Sequence, residues 1–294
     1  MTTDKKITPQ QKRRNRRKTP FILRSLRWSF RLQGMISPDW AGKRLFNLWF
    51  ISPKHPEPMR EKRWRESAEL ISIPHQHGPI ATYRWGTGNE RIFLLHGWSG
   101  RGPQMGAFVQ PLVDKGYQVI TFDAPGHGRT PGKSSSIFKM AEALQAVVDE
   151  AGIPKAVIAH SFGSMLLAYA LRATDLQVDK AVCISSPTTM QYLVDRFCQT
   201  LHINETTRQS FIREIENSYG KTIWENMSAD KNIQDINIPA LIIHDRDDHD
   251  VPAYLGKQLS DAWQGSRYLE TRGLGHRRIL RNQDIVNTVV EFID

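Results

Sequence analysis

The sequence predicts an α/β fold with a mainly parallel sheet covered on both faces, and three observations carry that prediction. Short apolar runs alternate with helical patterns through most of the chain, which is the rhythm of strand–helix–strand units. One run, Ala156–Ala159, leads through His160-Ser161-Phe162-Gly163 straight into a helical pattern with Phe162, Met165, Leu166 and Tyr169 at i, i+3, i+4 and i+7. A single stretch, 188–236, breaks the alternation with polar helical periodicity and no strand signal. It reads as an inserted helical cap.

The elements follow in order. Residues 1–20 are polar and basic, with Lys12-Arg13-Arg14-Asn15-Arg16-Arg17-Lys18, and read as a disordered tail. Residues 21–33 read as a helix with Arg24, Arg27 and Arg31 on one face and Leu23, Leu26 and Phe30 opposite. An apolar cluster from Leu45 to Ile51 ends before a stiff connector marked by Pro53, Pro56 and Pro58. Glu69–Ile73 and Ile80–Trp85 flank His77-Gly78-Pro79 as a hairpin. Arg91–Leu95 is a buried strand, 103–115 a helix, Tyr117–Phe122 a strand and 136–150 a long helix. After the Ser161 stretch come strand Lys180–Ile184, the cap, strand Ala240–His244, helix Ala253–Trp263, strand Arg267–Thr271 and a last helix over Asp284–Ile293.

The totals bound the function classes. A chain of 294 residues with 39% hydrophobic and 24% charged residues can bury one sizeable core with a modest appendage. The net charge of +10 is uneven. Residues 1–66 hold 18 Lys and Arg against 5 Asp and Glu, a net +13, and the remainder is −3. No apolar run approaches the roughly 18 residues that span a bilayer, and the start has no signal-type apolar core. Two cysteines, Cys183 and Cys198, make no disulfide framework, so a cytoplasmic location is expected.

Ser161 sits where a buried strand turns into a helix, a turn that projects the side chain from the strand's C-terminal edge. Ala159 and Gly163 are the small neighbours that the crowded backbone needs. The pattern resembles the G-x-S-x-G nucleophile elbow of the α/β-hydrolases, with Ala159 for the first glycine. Taken alone, such a pattern also fits a serine capping a helix. The order of the remaining motifs strengthens the resemblance. His244-Asp245-Arg246-Asp247-Asp248-His249-Asp250-Val251-Pro252 is similar to the family's acid loop, and the register implies Asp248 as the acid. Asp245, Asp247 and Asp250 are expected in a solvated turn. Gly273-Leu274-Gly275-His276 is similar to the histidine loop and implies His276 as the base. His96-Gly97-Trp98-Ser99-Gly100 is similar to the oxyanion loop, so the expected donors are the backbone N–H groups of Trp98 and Phe162. His160, His244 and His249 are expected in supporting roles. Asp123-Ala124-Pro125-Gly126-His127-Gly128-Arg129 is similar to a family turn, with Asp123 bonding nearby amides; His127 with Asp123 lacks a third metal ligand.

The resemblance covers 67–294 and implies the α/β-hydrolase fold, a mostly parallel eight-stranded sheet with a cap over about 188–236. Residues 1–66 lie outside it as a basic N-terminal extension. A serine at the elbow argues against the dehalogenase and epoxide hydrolase chemistries, which use Asp there. It implies an acyl-enzyme serine hydrolase acting on a carboxylic ester, or on a thioester or lipid-derived acyl ester, with neither cofactor nor metal. The alternatives are an acyltransferase with the same triad and a non-catalytic binding module on this fold. Residues 1–66 could meet an anionic membrane surface. The opposite expectation is that their apolar residues pack on the catalytic domain, with the arginines facing solvent. Nucleic acid is disfavoured, because no binding module surrounds the basic run.

Overall fold

A computed structural model describes residues 20–174 and 176–294. The basic run 12–18 therefore lies outside the described residues. The helices are α1 (Phe21–Ile36), α2 (Pro38–Trp49), α3 (Met59–Glu66), α4 (Val109–Asp114), α5 (Ile137–Ala151), α6 (Phe162–Ala173) and α7 (Met190–Leu201). After them come α8 (Glu205–Tyr219), α9 (Ile223–Asn226), α10 (Ala229–Asn232), α11 (Ala253–Ala262), α12 (Gly275–Arg278) and α13 (Gln283–Ile293). The strands are β1 (Glu69–Ile73), β2 (Ile80–Trp85), β3 (Arg91–Leu95), β4 (Gln118–Phe122), β5 (Ala156–His160), β6 (Lys180–Ile184), β7 (Ala240–Asp245) and β8 (Ser266–Thr271).

All eight strands form one sheet in the order β1-β2-β4-β3-β5-β6-β7-β8. β1 pairs antiparallel with β2 across the expected hairpin, Ile73 opposite Ile80, and β2 pairs antiparallel with β4. Every other pairing is parallel. This accounts for the composition of the central strands. β5 and β7 are buried along their whole length because helices cover both faces of a parallel sheet. The chain leaves β3 toward β4 on one side and returns to β5 on the other. The C-terminal ends of β3 and β5 thus flank a switch in strand order, where an open α/β sheet forms its crevice.

Two local departures from the sequence reading have simple causes. The helix expected over 103–115 begins as a 3₁₀ turn, Gly102–Phe108, before α4. A side chain at Gly106 would strike the Trp64 indole, so this segment is pressed against α3. The connector after α2 adds an isolated antiparallel bridge between Ile51 and Ser134, and Ser135 N–H donates to Phe50 O at 2.8 Å.

The chain divides into two compact units. One gathers the chain up to Phe46 with Asp195–Ser218; the other holds Asn47–Val194 and Tyr219–Asp294, including the whole sheet. Residues 47–66 thus belong with the sheet. In the first unit α1 turns Phe30, Gln33 and Gly34 inward. Gly34 is close enough to Thr207 that a Cβ would lie 2.6 Å from its hydroxyl, and a Cβ at Gly42 would strike Ser210. The rings of Phe197 and Phe211 stand 5.9 Å apart. Arg27 does not share a solvent face with Arg24 and Arg31. It is half-buried, and its Nε–H donates to Thr200 O at 2.9 Å. The other face of α1 is exposed.

Candidate active site

Every residue discussed here lies in the unit that holds the sheet. β5 ends at His160, and Ser161 takes φ 54° and ψ −123° before α6 begins at Phe162. A non-glycine residue at such angles is strained and persists only where its surroundings hold it. Ser161 N–H donates to Ile184 O at 2.9 Å, which ties the turn to the end of β6. A Cβ at Gly163 would lie 2.6 Å from Leu95 O and 2.8 Å from His96 O, so only glycine lets α6 start this close to β3. The small Ala159 is fully buried beneath the turn.

Three expected residues come together. Ser161 Oγ is 3.1 Å from His276 Nε2, and His276 Nδ1 is 2.7 Å from Asp248 Oδ2. Because a buried carboxylate accepts, Nδ1 carries the imidazole proton and Nε2 is left to accept from the serine hydroxyl. The Asp248 side chain is fully buried. Its other oxygen accepts the N–H groups of Asp250 and Val251, both at 2.9 Å. Burial alone would raise this carboxyl. Hydrogen bonds from His244 and His276 and from the Val251 N–H outweigh it, and hold Asp248 well below the usual carboxylate range. His244 is itself fully buried, 3.5 Å from Asp248 Oδ2, and its Nε2–H donates to Val251 O at 3.0 Å.

Asp247 and Asp250 are exposed, as a solvated turn requires, and the expectation is corrected for Asp245. Asp245 is fully buried at the end of β7. Its Oδ2 accepts from the Thr271 hydroxyl at 2.7 Å and Leu274 N–H at 3.0 Å; its Oδ1 accepts from Asp247 N–H at 3.0 Å. Asp247 Oδ2 accepts from Gly273 N–H at 2.9 Å. Two acidic side chains of one loop thus fasten the backbone of the loop that carries His276. Asp247 and Asp250 are both exposed, and the Asp250 carboxylate lies 3.8 Å from Arg277. The signal for the clamp was present in the aspartate run, yet carboxylates in a polar loop read as solvated unless the bare N–H groups of a neighbouring loop are known to face them.

His160 holds the base from beneath. Its Nε2–H donates to His276 O at 2.9 Å, and the two rings lie 4.8 Å apart. Burial, with His276 beside it, pushes the His160 imidazole down to about 3, so it stays neutral. His249 is exposed in the acid loop.

The loop after β3 lies directly against the nucleophile. A Cβ at Gly97 would stand 2.9 Å from Ser161 Cβ and 3.2 Å from His160 O. His96 fixes this loop. Ala124 N–H donates to its Nε2 at 3.1 Å, which leaves Nδ1–H to donate to Gly97 O at 2.8 Å. Burial lowers its pKa to about 4. Phe162 is the first residue of α6, so its N–H has no acceptor four residues back. The Trp98 ring meets Phe162 edge to face at 5.3 Å and His127 likewise at 5.3 Å. Asp123 is wholly engaged. It accepts from Gly102 N–H, Arg129 N–H and the Tyr83 hydroxyl, each at 2.8 Å. A cavity of about 220 Å³ opens beside this turn, lined by Ser99, Lys54, Arg101, His127 and Arg129 among others. Neither Ser161 nor His276 lines it.

Comparison with known proteins agrees with this architecture. Residues 90–231 match the sequence profile of the α/β-hydrolase fold. The chain is 26% identical over 226 residues to lysophosphatidylserine lipase ABHD12 of Danio rerio, covering 69% of this chain and 57% of the relative. It is 34% identical over 88 residues to the 2-hydroxy-6-oxononadienedioate/2-hydroxy-6-oxononatrienedioate hydrolase of Klebsiella pneumoniae subsp. pneumoniae, covering 28% and 29%. The crystal structure of bromoperoxidase from Bacillus anthracis superposes with a TM-score of 0.58 at 20% identity, covering 77% of this chain and 99% of that one. The chain spans between 29% and 61% of the length of the first curated relatives it matches. Its sheet order and its profile match over 90–231 together give the chain the α/β-hydrolase fold.

Proposed function

We propose that the protein is a serine hydrolase that cleaves a carboxylic ester through an acyl-enzyme at Ser161. The observation that carries this reading is the unbroken hydrogen-bonded order from Ser161 Oγ to His276 Nε2 and from Nδ1 to Asp248. A serine hydroxyl is a weak nucleophile until a base takes its proton as it attacks. In the proposed cycle His276 Nε2 accepts the Ser161 proton while Oγ bonds to the ester carbonyl carbon. Charge moves to the carbonyl oxygen, toward the N–H groups of Phe162 and Trp98. Asp248 stabilises the imidazolium without taking its proton. Collapse returns the proton to the departing alcohol and leaves the acyl group on Ser161. Water then gives its proton to Nε2 and attacks, and the second collapse reprotonates Ser161 and frees the acid.

The lipase among the relatives and the basic N-terminal region favour a lipid-derived acyl ester as the substrate class. The reading is tested by turnover of p-nitrophenyl esters of graded acyl length and by covalent labelling with a fluorophosphonate. Wild type should turn over and label. Ser161→Ala should lose labelling and fall in kcat by about 10⁴- to 10⁶-fold, the scale of nucleophile removal in triad hydrolases. A folded wild type that neither labels nor turns over any ester would sink the proposal in favour of a binding module.

A further inference from the structure

Seven of the thirteen exposed large hydrophobic residues among the described residues lie between Phe21 and Trp40. Six belong to α1: Phe21, Ile22, Trp28, Leu32, Met35 and Ile36. At 100° per residue they fall on one arc of roughly 140°, opposite the buried Phe30. The sequence pattern of the first turns drew attention to Leu23, Leu26 and Phe30 and so to the inward face. The helix in fact carries a second apolar face turned to solvent.

The two serines inside that arc each have a hydrogen-bond partner within the helix. Ser25 Oγ–H donates to Phe21 O at 3.1 Å, and Ser29 Oγ accepts from Gln33 Nε2–H at 2.5 Å. Each serine oxygen on the face therefore keeps one hydrogen-bond partner when the face leaves water. Arg24 and Arg31 are exposed along one edge of the arc. In α2, Trp40 is half exposed with the Arg44 guanidinium 5.2 Å from its ring centre. Between Asp4 and Asp39 there are eleven Lys and Arg and no acidic residue. A protein partner would need an acidic, apolar groove of matching shape. An anionic lipid surface offers both chemistries with no shape requirement, and an apolar face edged by arginine and tryptophan suits its interface.

We infer that α1 is an in-plane membrane anchor, with its Phe21–Ile36 apolar face sunk into the acyl boundary of an anionic bilayer and its arginines at the headgroups. The helix lies on the membrane and does not cross it. Sixteen residues reach about 24 Å against a hydrocarbon core of about 30 Å, and among the described residues no helix is long and apolar enough to span. The inference is independent of the bond that the Ser161 site cuts.

The test is flotation of the full chain with vesicles of phosphatidylglycerol and phosphatidylcholine, and with vesicles of phosphatidylcholine alone. Three proteins are compared: wild type, Trp28→Glu, and Trp28→Glu with Ile36→Glu, each checked for an unchanged thermal midpoint. Wild type should float with the anionic vesicles, the single variant less, and the double variant at least tenfold less. Equal flotation of all three would overturn the inference, because basic residues alone would then account for binding. Absence of wild-type flotation would overturn it too. A wild-type dimer that the double variant disperses, without flotation, would assign the face to a second copy of the chain instead.

Discussion

The loops around Ser161 and the outer face of helix α1 treat their chemistry in opposite ways. At the sheet edge, side chains that favour water are buried and bonded. Asp245, Asp248, His96, His160 and His244 are all withdrawn from solvent, each with at least one hydrogen-bond partner. On α1, side chains that avoid water are left in it. Burying polar groups costs free energy unless each is satisfied, and exposing a contiguous apolar face forgoes stabilisation that folding could have gained. A chain bears the first cost where it needs fixed geometry and the second where something outside it completes the surface. The contrast separates a site organised by its own chain from a surface that needs a partner.

The sharpest way to break the first half of this comparison is at Asp245. Asp245→Ala removes the acceptor of the Thr271 hydroxyl and of the Leu274 and Asp247 N–H groups. Unpaired buried donors cost about 1–3 kcal/mol each, and displacement of His276 by an ångström can cost 10²-fold in rate. The expected outcome is a roughly 100-fold loss of kcat on a soluble ester, with a lower urea midpoint. Asp250→Ala is the control. Its carboxylate is exposed beside Arg277, a pair worth at most about 1 kcal/mol, and activity should stay near wild type. Equal behaviour of the two variants would show that the clamp does not position the base.

How far each region was legible follows from the same physics. The sheet was readable because burial on both faces forces near-continuous apolar strands, as in Ala156–Ala159 and Ala240–Ile243. Ser161, Asp248 and His276 were nameable because the order of short motifs is local and linear. The roles of Asp245 and Asp247 were not, because each depends on which amides of a loop 26 to 29 residues away lack partners. The outer face of α1 was legible only as part of a basic segment suited to an anionic surface, for a different reason. A helix with two apolar faces has a pattern that shows which residues avoid water but not which of them find cover.

A second test concerns the three histidines buried close to the site. Burial pushes His96 to about 4 and His160 to about 3; burial, with His96 beside it, pushes His127 to about 3. Their ordinary value is 6.5, so between about 6.5 and 4 the unfolded chain binds protons that the folded chain refuses. The stability they contribute is complete above 6.5 and is lost as the pH falls through that window, by up to about 1.4 kcal/mol per pH unit for each histidine. The Asp248 carboxyl, held low, adds its own loss only below its ordinary 3.8. Urea midpoints should therefore fall steadily from pH 7 to pH 5, before the carboxylates begin to count. A midpoint constant across that range would mean that these imidazoles protonate without opening the fold.

The mildest test divides the two faces of one helix. Phe30 is 6% exposed and Trp28 is 67% exposed, two residues apart on α1. Phe30→Ala empties a packed position and should cost about 3 kcal/mol or more. Trp28→Ala removes a larger ring from water and should stay within about 0.5 kcal/mol of wild type. Chemical unfolding of both variants in the absence of lipid measures the difference directly. If Trp28→Ala destabilised the chain as much as Phe30→Ala, the indole would be serving the fold, and the exposed face would not be held in reserve for a bilayer. If it is silent in water and weakens flotation, the ring acts only where the chain meets lipid. The same sixteen residues then fold along one face and bind along the other.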